Sequence, residues 1–180
     1  MKIQSYTALT SNLEAMLYEG MVKIGYYEGQ GVGIYYTEDL ICQLLDTENN
    51  TSNIMQLLAL FAIENQALWG KIIYTKENGR YKITVSSEGL RYVYQKNKDN
   101  HFLRDLIEVL KTPNTTIDMV LAVFHQYSSN VLCEKSNHDE FEYAVSFADK
   151  SIDAFIYCFT FDEMGQYYHR FTAFDYHNLI

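Results

Sequence analysis

Residues 68–94 read LWGKIIYTKENGRYKITVSSEGLRYVY, and this stretch contains the strongest local folding signals in the chain. Two β-type runs, residues 71–75 and 80–85, flank the turn-forming sequence Glu77-Asn78-Gly79. Because Asn and Gly both tolerate positive φ, an Asn-Gly pair between such runs predicts a tight β-hairpin. Ser86 or Ser87 can then cap a helix directly after the second strand. The stretch therefore predicts a hairpin followed at once by a helix.

The residues before the hairpin predict helices and one strand. Apolar residues recur at helical spacing over residues 5–24, the run 32–36 is β-type, and Thr37 can cap a short helix over 37–45. Apolar side chains cover nearly the whole circumference of residues 53–69, which predicts a buried helix. The glycines at 25, 29, 31 and 33 lack the GxxxxGK[ST] pattern and lead into a strand, so they predict a flexible turn and not a phosphate loop.

The order helix, strand, helix, helix, hairpin resembles a winged-helix domain over about residues 30–95. Gly70-Lys71-Ile72-Ile73, Asn78-Gly79-Arg80 and Ile83-Thr84-Val85 with Glu88-Gly89 are similar to the hairpin region of many bacterial winged-helix regulators. The resemblance implies DNA binding by the helix before the hairpin, which needs polar and basic side chains. Residues 53–69 contain no Lys or Arg. We therefore expect a winged-helix-like core used for packing or partner binding.

Charge is distributed unevenly along the chain. The formal net charge of −9 argues against tight contact with nucleic acid, which relies on Lys and Arg at phosphates. Residues 71–111, however, carry nine Lys or Arg and five Asp or Glu, a net +4, so the remainder carries −13. Solvated faces of amphipathic helices also have this pattern. The alternative function is a transcriptional regulator that binds DNA through the hairpin and the next helix, using Lys76, Arg80, Lys82, Arg91, Lys96 and Lys98.

The second half of the chain passes from helical spacing to strict alternation. Residues 102–110 and 117–127 predict two helices. Alternation from residue 141, with turns at 149–151 and 162–165, predicts an antiparallel meander to which residues 131–134 can add a fourth strand. Residues 155–159 are apolar on both faces, which predicts a central strand covered on each side.

Together these patterns predict an α+β protein. We expect residues 1–98 to form a winged-helix-like helical region with a β-hairpin. Residues 99–180 would form two helices and a C-terminal antiparallel β-meander, packed with the first region as one compact unit. The hydrophobic content of 48% and aromatic content of 15% exclude a disordered chain.

The densest group of functional-looking residues lies near the C terminus. Alternation along a strand would place Tyr167, His169 and Phe171 on one face and Tyr168, Arg170 and Thr172 on the other. An enzyme would use His169 as acid or base beside Arg170 and Asp175, since His titrates near neutrality and Arg binds anions. The competing interpretation is a Tyr-rich sheet in which His and Arg are structural. The candidate binding residues are Tyr167, Tyr168, His169, Arg170 and Tyr176.

Several classes of protein and site are not expected. Cys42, Cys133 and Cys158 show no CxxC pair or scaffold spacing, so we expect buried, unpaired thiols. Cys133, His138 and Asp139 or Glu140 lack the spacing of zinc ligands, and no metal or cofactor is expected. The longest apolar run, residues 57–63, is too short to cross a bilayer, so we expect a soluble cytoplasmic protein with no membrane partner.

A second resemblance extends over nearly the full length. It rests on Glu19-Gly20, Lys23-Ile24-Gly25-Tyr26, Ile34-Tyr35-Tyr36, residues 89–94 and Tyr168-His169-Arg170-Phe171-Thr172. These segments resemble a family of short, uncharacterised proteins of Gram-positive bacteria classed as a domain of unknown function. The resemblance implies no activity, cofactor or site residue. We therefore expect a protein-interaction or small-ligand-binding module, with a protein partner or self-association. DNA binding is the first alternative, and an enzyme using His169 and Arg170 is the second.

Overall fold

The hairpin that the sequence predicts is present in the computed structural model, which describes residues 6–25, 31–162 and 165–178. Its strands are Ile72–Glu77 and Arg80–Val85, and Asn78 and Gly79 between them have φ of 50° and 75°, as a two-residue turn with positive φ requires. A helix follows after Ser86, so the predicted strand, turn, strand and helix are confirmed. The elements in chain order are α1 (Thr7–Ile24), β1 (Val32–Tyr36), α2 (Glu38–Leu44), α3 (Thr51–Trp69), β2 (Ile72–Glu77), β3 (Arg80–Val85), α4 (Ser87–Asn97), α5 (Phe102–Leu110), α6 (Ile117–Tyr127), β4 (Val131–Lys135), β5 (Tyr143–Phe147), β6 (Ile156–Asp162), β7 (Gly165–Phe171) and α7 (Ala173–Asn178).

Backbone contacts divide the chain into an N-terminal unit, residues 1–99, and a C-terminal unit, residues 100–180. The N-terminal unit contains an antiparallel sheet with the strand order β1-β3-β2. The C-terminal unit contains an antiparallel sheet with the order β4-β5-β6-β7, which is the meander predicted from sequence. The α+β fold class is therefore confirmed. The packing of the two regions as one compact unit stays a prediction.

The core of the N-terminal unit lies between its helices and one face of its sheet. Side chains with at most 2% exposure come from α1, β1, α2, α3, β3 and α4, and they include Leu13, Leu58, Ile83 and Val93. Trp69 ends α3 and is 1% exposed, with its ring at 6.3 Å from that of Phe61 in an edge-on arrangement. Such burial of large apolar side chains is the main driving force for folding of this unit.

Three residues explain how α3, the hairpin and α4 join so closely. Gly70 has φ of 61° after the last turn of α3, a conformation that favours glycine. The hydroxyl of Ser86 donates a hydrogen bond to the Trp69 carbonyl at 3.0 Å. A Cβ on Gly89 would lie 2.7 Å from the same carbonyl oxygen, so α4 needs glycine at this point.

In the C-terminal unit α5 and α6 pack on one face of the sheet. The ring of Phe102 on α5 lies 4.9 Å from those of Phe124 on α6 and Phe147 on β5. On the central strand β6, Tyr157, Cys158 and Phe159 are all fully buried although neighbouring residues point to opposite faces. The prediction of a central strand covered on both sides is confirmed.

Some predicted boundaries of the strands and helices differ from the structure. β5 starts at Tyr143 and β6 at Ile156, later than predicted, and α7 was not predicted. The Asp153 carboxylate accepts the Phe155 N–H at 2.8 Å, which explains why the chain turns there before β6 begins. Three predicted features lie outside the described residues. They are the start of the first helix at residue 5, Gly29 in the glycine-rich turn, and the centre of the turn at 162–165. Among the described residues, no helix has both the length and the apolar character needed to cross a membrane.

The prediction that α3 is buried all round is wrong. Its buried side chains are Ile54, Leu58, Phe61 and Trp69, which lie on one face. On the opposite face Leu60 is 44% and Ile63 is 68% exposed. The sequence composition of α3 does not distinguish a helix buried on all sides from one that leaves an apolar face in contact with solvent.

Candidate functional site

The C-terminal cluster lies on β7, and its side chains alternate between two faces as predicted. Tyr168 and Arg170 are buried, at 9% and 7% exposure. Tyr167 is 57% exposed, and His169 is also exposed. The predicted separation of Tyr167 and His169 from Tyr168 and Arg170 is therefore confirmed, and it separates His169 from its proposed partner Arg170.

Arg170 belongs to a buried polar group inside the C-terminal unit. Its guanidinium lies 4.3 Å from the ring centre of Phe155, and it forms a hydrogen bond with Tyr157. The Tyr157 hydroxyl donates to the Asp153 carboxylate at 2.9 Å. Burial raises the pKa of Tyr157, the charge of Asp153 adds to this effect, and Arg170 opposes it. The guanidinium thus has neighbours within the fold, whereas an anion-binding Arg would face a cleft.

His169 and Asp175 each have local neighbours of their own. The His169 ring lies 4.4 Å from the Phe171 ring and, in strand register, opposite Cys158. The Asp175 carboxylate accepts from the Thr172 hydroxyl at 2.8 Å, and the same hydroxyl accepts the Asp175 N–H at 3.1 Å at the start of α7. His169, Arg170 and Asp175 are close in sequence, but His169 and Arg170 lie on opposite faces of β7 and Asp175 contacts Thr172.

The remaining candidate binding residues are also dispersed. Tyr176 is 3% exposed in the small core formed with Phe141, Ala144 and Cys158, and its hydroxyl accepts the Asn137 N–H at 3.1 Å. The Tyr167 ring stacks on Phe141 with centroids 5.8 Å apart. These contacts support the structural interpretation of the C-terminal cluster.

The three cysteines differ in their environments. Cys158 is buried and Cys42 is half-buried, but Cys133 on β4 is exposed, so the prediction that all three are buried is wrong. Within the ranges that the structure describes, no three His, Cys, Asp or Glu side chains gather to form a metal site. Cys133 and His138 therefore do not form the centre of such a group.

Three of the six candidate nucleic-acid residues form ion pairs within the N-terminal unit. Lys96 binds both oxygens of the buried Glu14 carboxylate at 2.7 and 2.8 Å, and this hydrogen bonding raises the pKa of Lys96. Lys76 binds Glu38, and Lys82 lies 3.9 Å from Glu77. The positive charge of these residues is balanced by neighbouring carboxylates, which reduces what they can offer to phosphates.

The other three candidate nucleic-acid residues are exposed. Arg80 lies at the tip of the hairpin, Arg91 on α4 and Lys98 at its end. No ion pair is formed by them with any part of the chain that the structure describes. They are the part of the +4 segment that could contact an acidic partner.

An exposed apolar surface with a recess beside it lies on α3 and β2. Gln56, Leu60, Ile63 and Ala67 are exposed and, at spacings of four, three and four, form one stripe of α3. Beside this stripe is a groove of about 240 Å³ between α3 and β2. Its walls are Ala59, Ala62, Ile63 and Gln66 from α3 with Lys71, Ile72 and Tyr74 from the start of the hairpin. We call this stripe and groove together the α3–β2 surface.

The α3–β2 surface is the functional candidate that sequence reasoning missed. Leu58 and Phe61 are directed to the core, whereas Leu60 and Ile63 lie about half a turn away on the same helix. Because both faces are apolar, periodicity did not separate them. The absence of Lys and Arg from α3 was the usable signal, since it pointed to an apolar contact surface.

Comparison with known proteins assigns the chain to a family. A family model described as "Domain of unknown function, E. rectale Gene description (DUF3877)" matches residues 6–180. The chain belongs to the DUF3877 family. No curated protein matches it, and no solved structure matches it. The sequence-based resemblance to an uncharacterised family is confirmed, whereas the winged-helix resemblance stays a prediction.

Membership of DUF3877 names no substrate, ligand or partner, so function has to be argued from the surface of this chain. Several residues on which the winged-helix resemblance rests have structural roles in this DUF3877 protein. Gly70 and Gly79 adopt positive φ, and Gly89 allows close packing on Trp69. Gly79 serves the hairpin turn, and Gly70 and Gly89 serve the joint between α3, the hairpin and α4, which makes all three poor guides to what the family binds.

Proposed function

We propose that this DUF3877 protein is a protein-interaction module that binds a partner protein through the α3–β2 surface. The carrying observation is the cation-free outer face of α3, where the apolar side chains of Leu60 and Ile63 are 44% and 68% exposed. Exposed Ala67 continues the same stripe towards the end of the helix. Contiguous exposed apolar groups on a folded domain are typical of surfaces that another macromolecule covers.

The proposal includes a winged-helix-like core for the N-terminal unit. The chain order α1, β1, α2, α3, β2, β3 and the strand order β1-β3-β2 support it. In DNA-binding members of that fold the helix in the position of α3 enters the major groove. Here the same helix has no Lys or Arg for phosphates, so the proposal assigns a protein in place of DNA to this face.

The proposal assumes a cytoplasmic location, which the three unpaired cysteines support. It also favours a protein over a small molecule. The α3–β2 groove, at about 240 Å³, is smaller than the roughly 300–1,000 Å³ of most small-molecule pockets. The flat stripe next to it adds area that a small ligand would leave uncovered.

The test is quantitative co-purification of the full-length chain from its native cells. The double variant Leu60→Glu/Ile63→Glu places two charges on the α3 stripe, and Gln95→Glu/Gln126→Glu makes the same charge change at exposed positions on α4 and α6. We expect a partner to be recovered with the wild type and the control and reduced about ten-fold with the α3 variant, since charges are poorly tolerated at interface centres.

The outcomes are distinguishable. Recovery of a second copy of the chain, with the same dependence on Leu60 and Ile63, would identify self-association through this surface. A monomer without a partner, or equal recovery with the two double variants, would contradict the proposal.

DNA binding through the hairpin and α4 is the second candidate, and exposed Arg80, Arg91 and Lys98 favour it. With three phosphate contacts the slope of log affinity against log salt concentration would be about −2.7. Duplex binding measured by fluorescence anisotropy at several salt concentrations tests this candidate. Absence of binding at low salt would eliminate it.

A further inference from the structure

β2 is an outer strand of its sheet. In the order β1-β3-β2 it pairs with β3 on one side, and no described strand lies against its other side. Outer strands carry unpaired backbone groups, and proteins commonly blunt them with charge. The turn end of β2 has Lys76 and Glu77, but residues 72–75 read Ile-Ile-Tyr-Thr and have no charge. This part of β2 is therefore open to pairing.

The register of the hairpin tells which residues direct their backbone to the open side. The Lys71 carbonyl accepts the Ser86 N–H at 3.2 Å, so residue 71 directs its backbone towards the side of β3. Successive residues of an antiparallel strand direct their N–H and C=O to opposite sides. Ile73 and Thr75 therefore bond to β3, while the N–H and C=O of Ile72 and Tyr74 are directed to the open edge.

The same two residues line the groove with their side chains. Ile72 and Tyr74 pair in register with Val85 and Ile83, which are buried, so all four side chains share the inner face of the sheet. Opposite them α3 presents Ala59 and Ala62, whose small side chains leave the recess. A free edge thus lies beside a groove that can receive alternate side chains of an added strand.

Lys71 gives the groove a chemical preference. Lys71 is exposed just before β2 begins, at the end of the groove far from the hairpin turn. It is the one cation among the lining residues and forms no ion pair with the described residues. A carboxylate at that end of an added strand would complement its charge.

We propose that the partner supplies an extended, apolar segment that adds to the open edge of β2 as a further strand. Its backbone pairs with Ile72 and Tyr74, alternate side chains occupy the α3–β2 groove, and a carboxylate contacts Lys71. This is recognition by strand addition, in which backbone bonds give affinity and pockets give specificity. The inference rests on the proposed function and specifies the class of partner segment for the same surface.

The probes are random decapeptides displayed in two libraries, one with free C-terminal carboxylates and one with the C terminus fused to a carrier. Selection on the full-length chain is followed by fluorescence anisotropy with the selected peptides. We expect alternating apolar positions with a carboxylate at one end. Enrichment in the first library would identify a C-terminal carboxylate, and enrichment of Asp or Glu in the second would identify an acidic side chain.

Three substitutions, two of them with a matched control, test the groove, the backbone edge and the charge of Lys71 separately. Ala62→Trp fills the groove, and we expect it to weaken binding at least about ten-fold. Tyr74→Pro removes an outward N–H that β3 does not use, whereas Tyr74→Ala removes only the side chain, so proline should weaken binding more than alanine. Lys71→Glu should weaken binding several-fold, while Arg80→Glu, the same charge reversal at the hairpin tip, should leave it within about two-fold.

Circular dichroism and thermal unfolding would establish that each variant is folded. Peptides that bind Ala62→Trp and Tyr74→Pro as tightly as the wild type would overturn strand addition. So would failure of both libraries to give any binder to the wild type at about 1 mM. If strand addition fails while Leu60→Glu/Ile63→Glu still loses its partner in co-purification, the proposed function stands and a folded partner surface replaces the extended segment.

Discussion

The sheets of the two units differ in how completely their faces and edges are covered. In the C-terminal unit the central strand β6 has Tyr157, Cys158 and Phe159 fully buried, with side chains on both faces covered. In the N-terminal unit Ile73 on β2 is 46% exposed, and the neighbouring helix α3 leaves Ile63 68% exposed. The centre of β6 is thus buried on both faces, whereas α3 and β2 leave large apolar side chains exposed to solvent.

Polar residues show the opposite distribution. The C-terminal cluster places Arg170 in contact with Phe155 and Tyr157, so its most functional-looking cation is part of a core. In the N-terminal unit Lys71 is exposed beside an apolar groove. The comparison teaches that the cluster of polar residues on β7 belongs to a structural network, whereas the candidate binding surface lies on a largely apolar helix.

The largest expected effect separates the two faces of α3. Leu58→Ala removes a fully buried side chain and should lower the free energy of unfolding by about 3 kcal/mol, because it leaves a cavity. Leu60→Ala, two residues away on the exposed face, should cost less than about 1 kcal/mol. Urea denaturation followed by circular dichroism measures both changes. Equal losses would mean that the Leu60 face is also packed, and the α3–β2 surface would lose its main support.

The next effect tests whether the C-terminal cluster is structural. Arg170→Ala should lower the free energy of unfolding by about 2 kcal/mol, because it removes a hydrogen-bond partner of the buried Tyr157 and its packing on Phe155. His169→Ala, on the exposed face of the same strand, should change it by less than about 0.5 kcal/mol. The same denaturation measurement compares the neighbours. A stable, folded Arg170→Ala protein would restore Arg170 as a functional candidate.

Sequence reasoning predicted the elements well where local chemistry decides them. Asn78-Gly79 specified the hairpin turn, and Thr37, whose hydroxyl accepts the Leu40 N–H at 3.3 Å, specified the start of α2. It was less accurate where side-chain contacts decide the backbone, as at Asp153, which turns the chain before β6. The helix α7 also begins through a contact between Thr172 and Asp175 that the strand pattern concealed.

The candidate site was harder to predict than the fold, for a physical reason. Alternation correctly put His169 and Arg170 on opposite faces, and this was itself a reason to doubt a shared catalytic site. Whether Leu60 or Leu58 faces the core depends on how α3 packs against β2 and α4. No spacing rule supplies those contacts when a helix is apolar all round.

A smaller effect tests the joint between α3 and α4. Gly89→Ala should lower the free energy of unfolding by about 1.5 kcal/mol, because its Cβ would approach the Trp69 carbonyl oxygen to 2.7 Å and the backbone must shift. Gly20→Ala in α1 is the matched control, since a Cβ there meets nothing within 4 Å, and it should be neutral or stabilising. Thermal unfolding measures both. A neutral Gly89→Ala would show that the packing of α4 on Trp69 is looser than the packing in the C-terminal core.

The smallest effect concerns the cations of the hairpin and sharpens the contrast between Lys76 and Lys71. Hydrogen bonding from Lys76, with a further bond from Asn49, holds the pKa of Glu38 below its ordinary value of 4.5. A lowered folded-state pKa means that this carboxylate favours the folded state above pH 4.5 and loses that contribution as pH falls through the lowered pKa. Lys76→Gln should therefore raise the pKa of Glu38 towards 4.5, while Lys71→Gln should not change it. Carboxyl carbon NMR titration measures both. If the Glu38 pKa is the same in the two variants, Lys76 does not form the ion pair with Glu38 that we describe. Lys76 would then be available for phosphate contacts, and the DNA-binding alternative would gain a fourth cation.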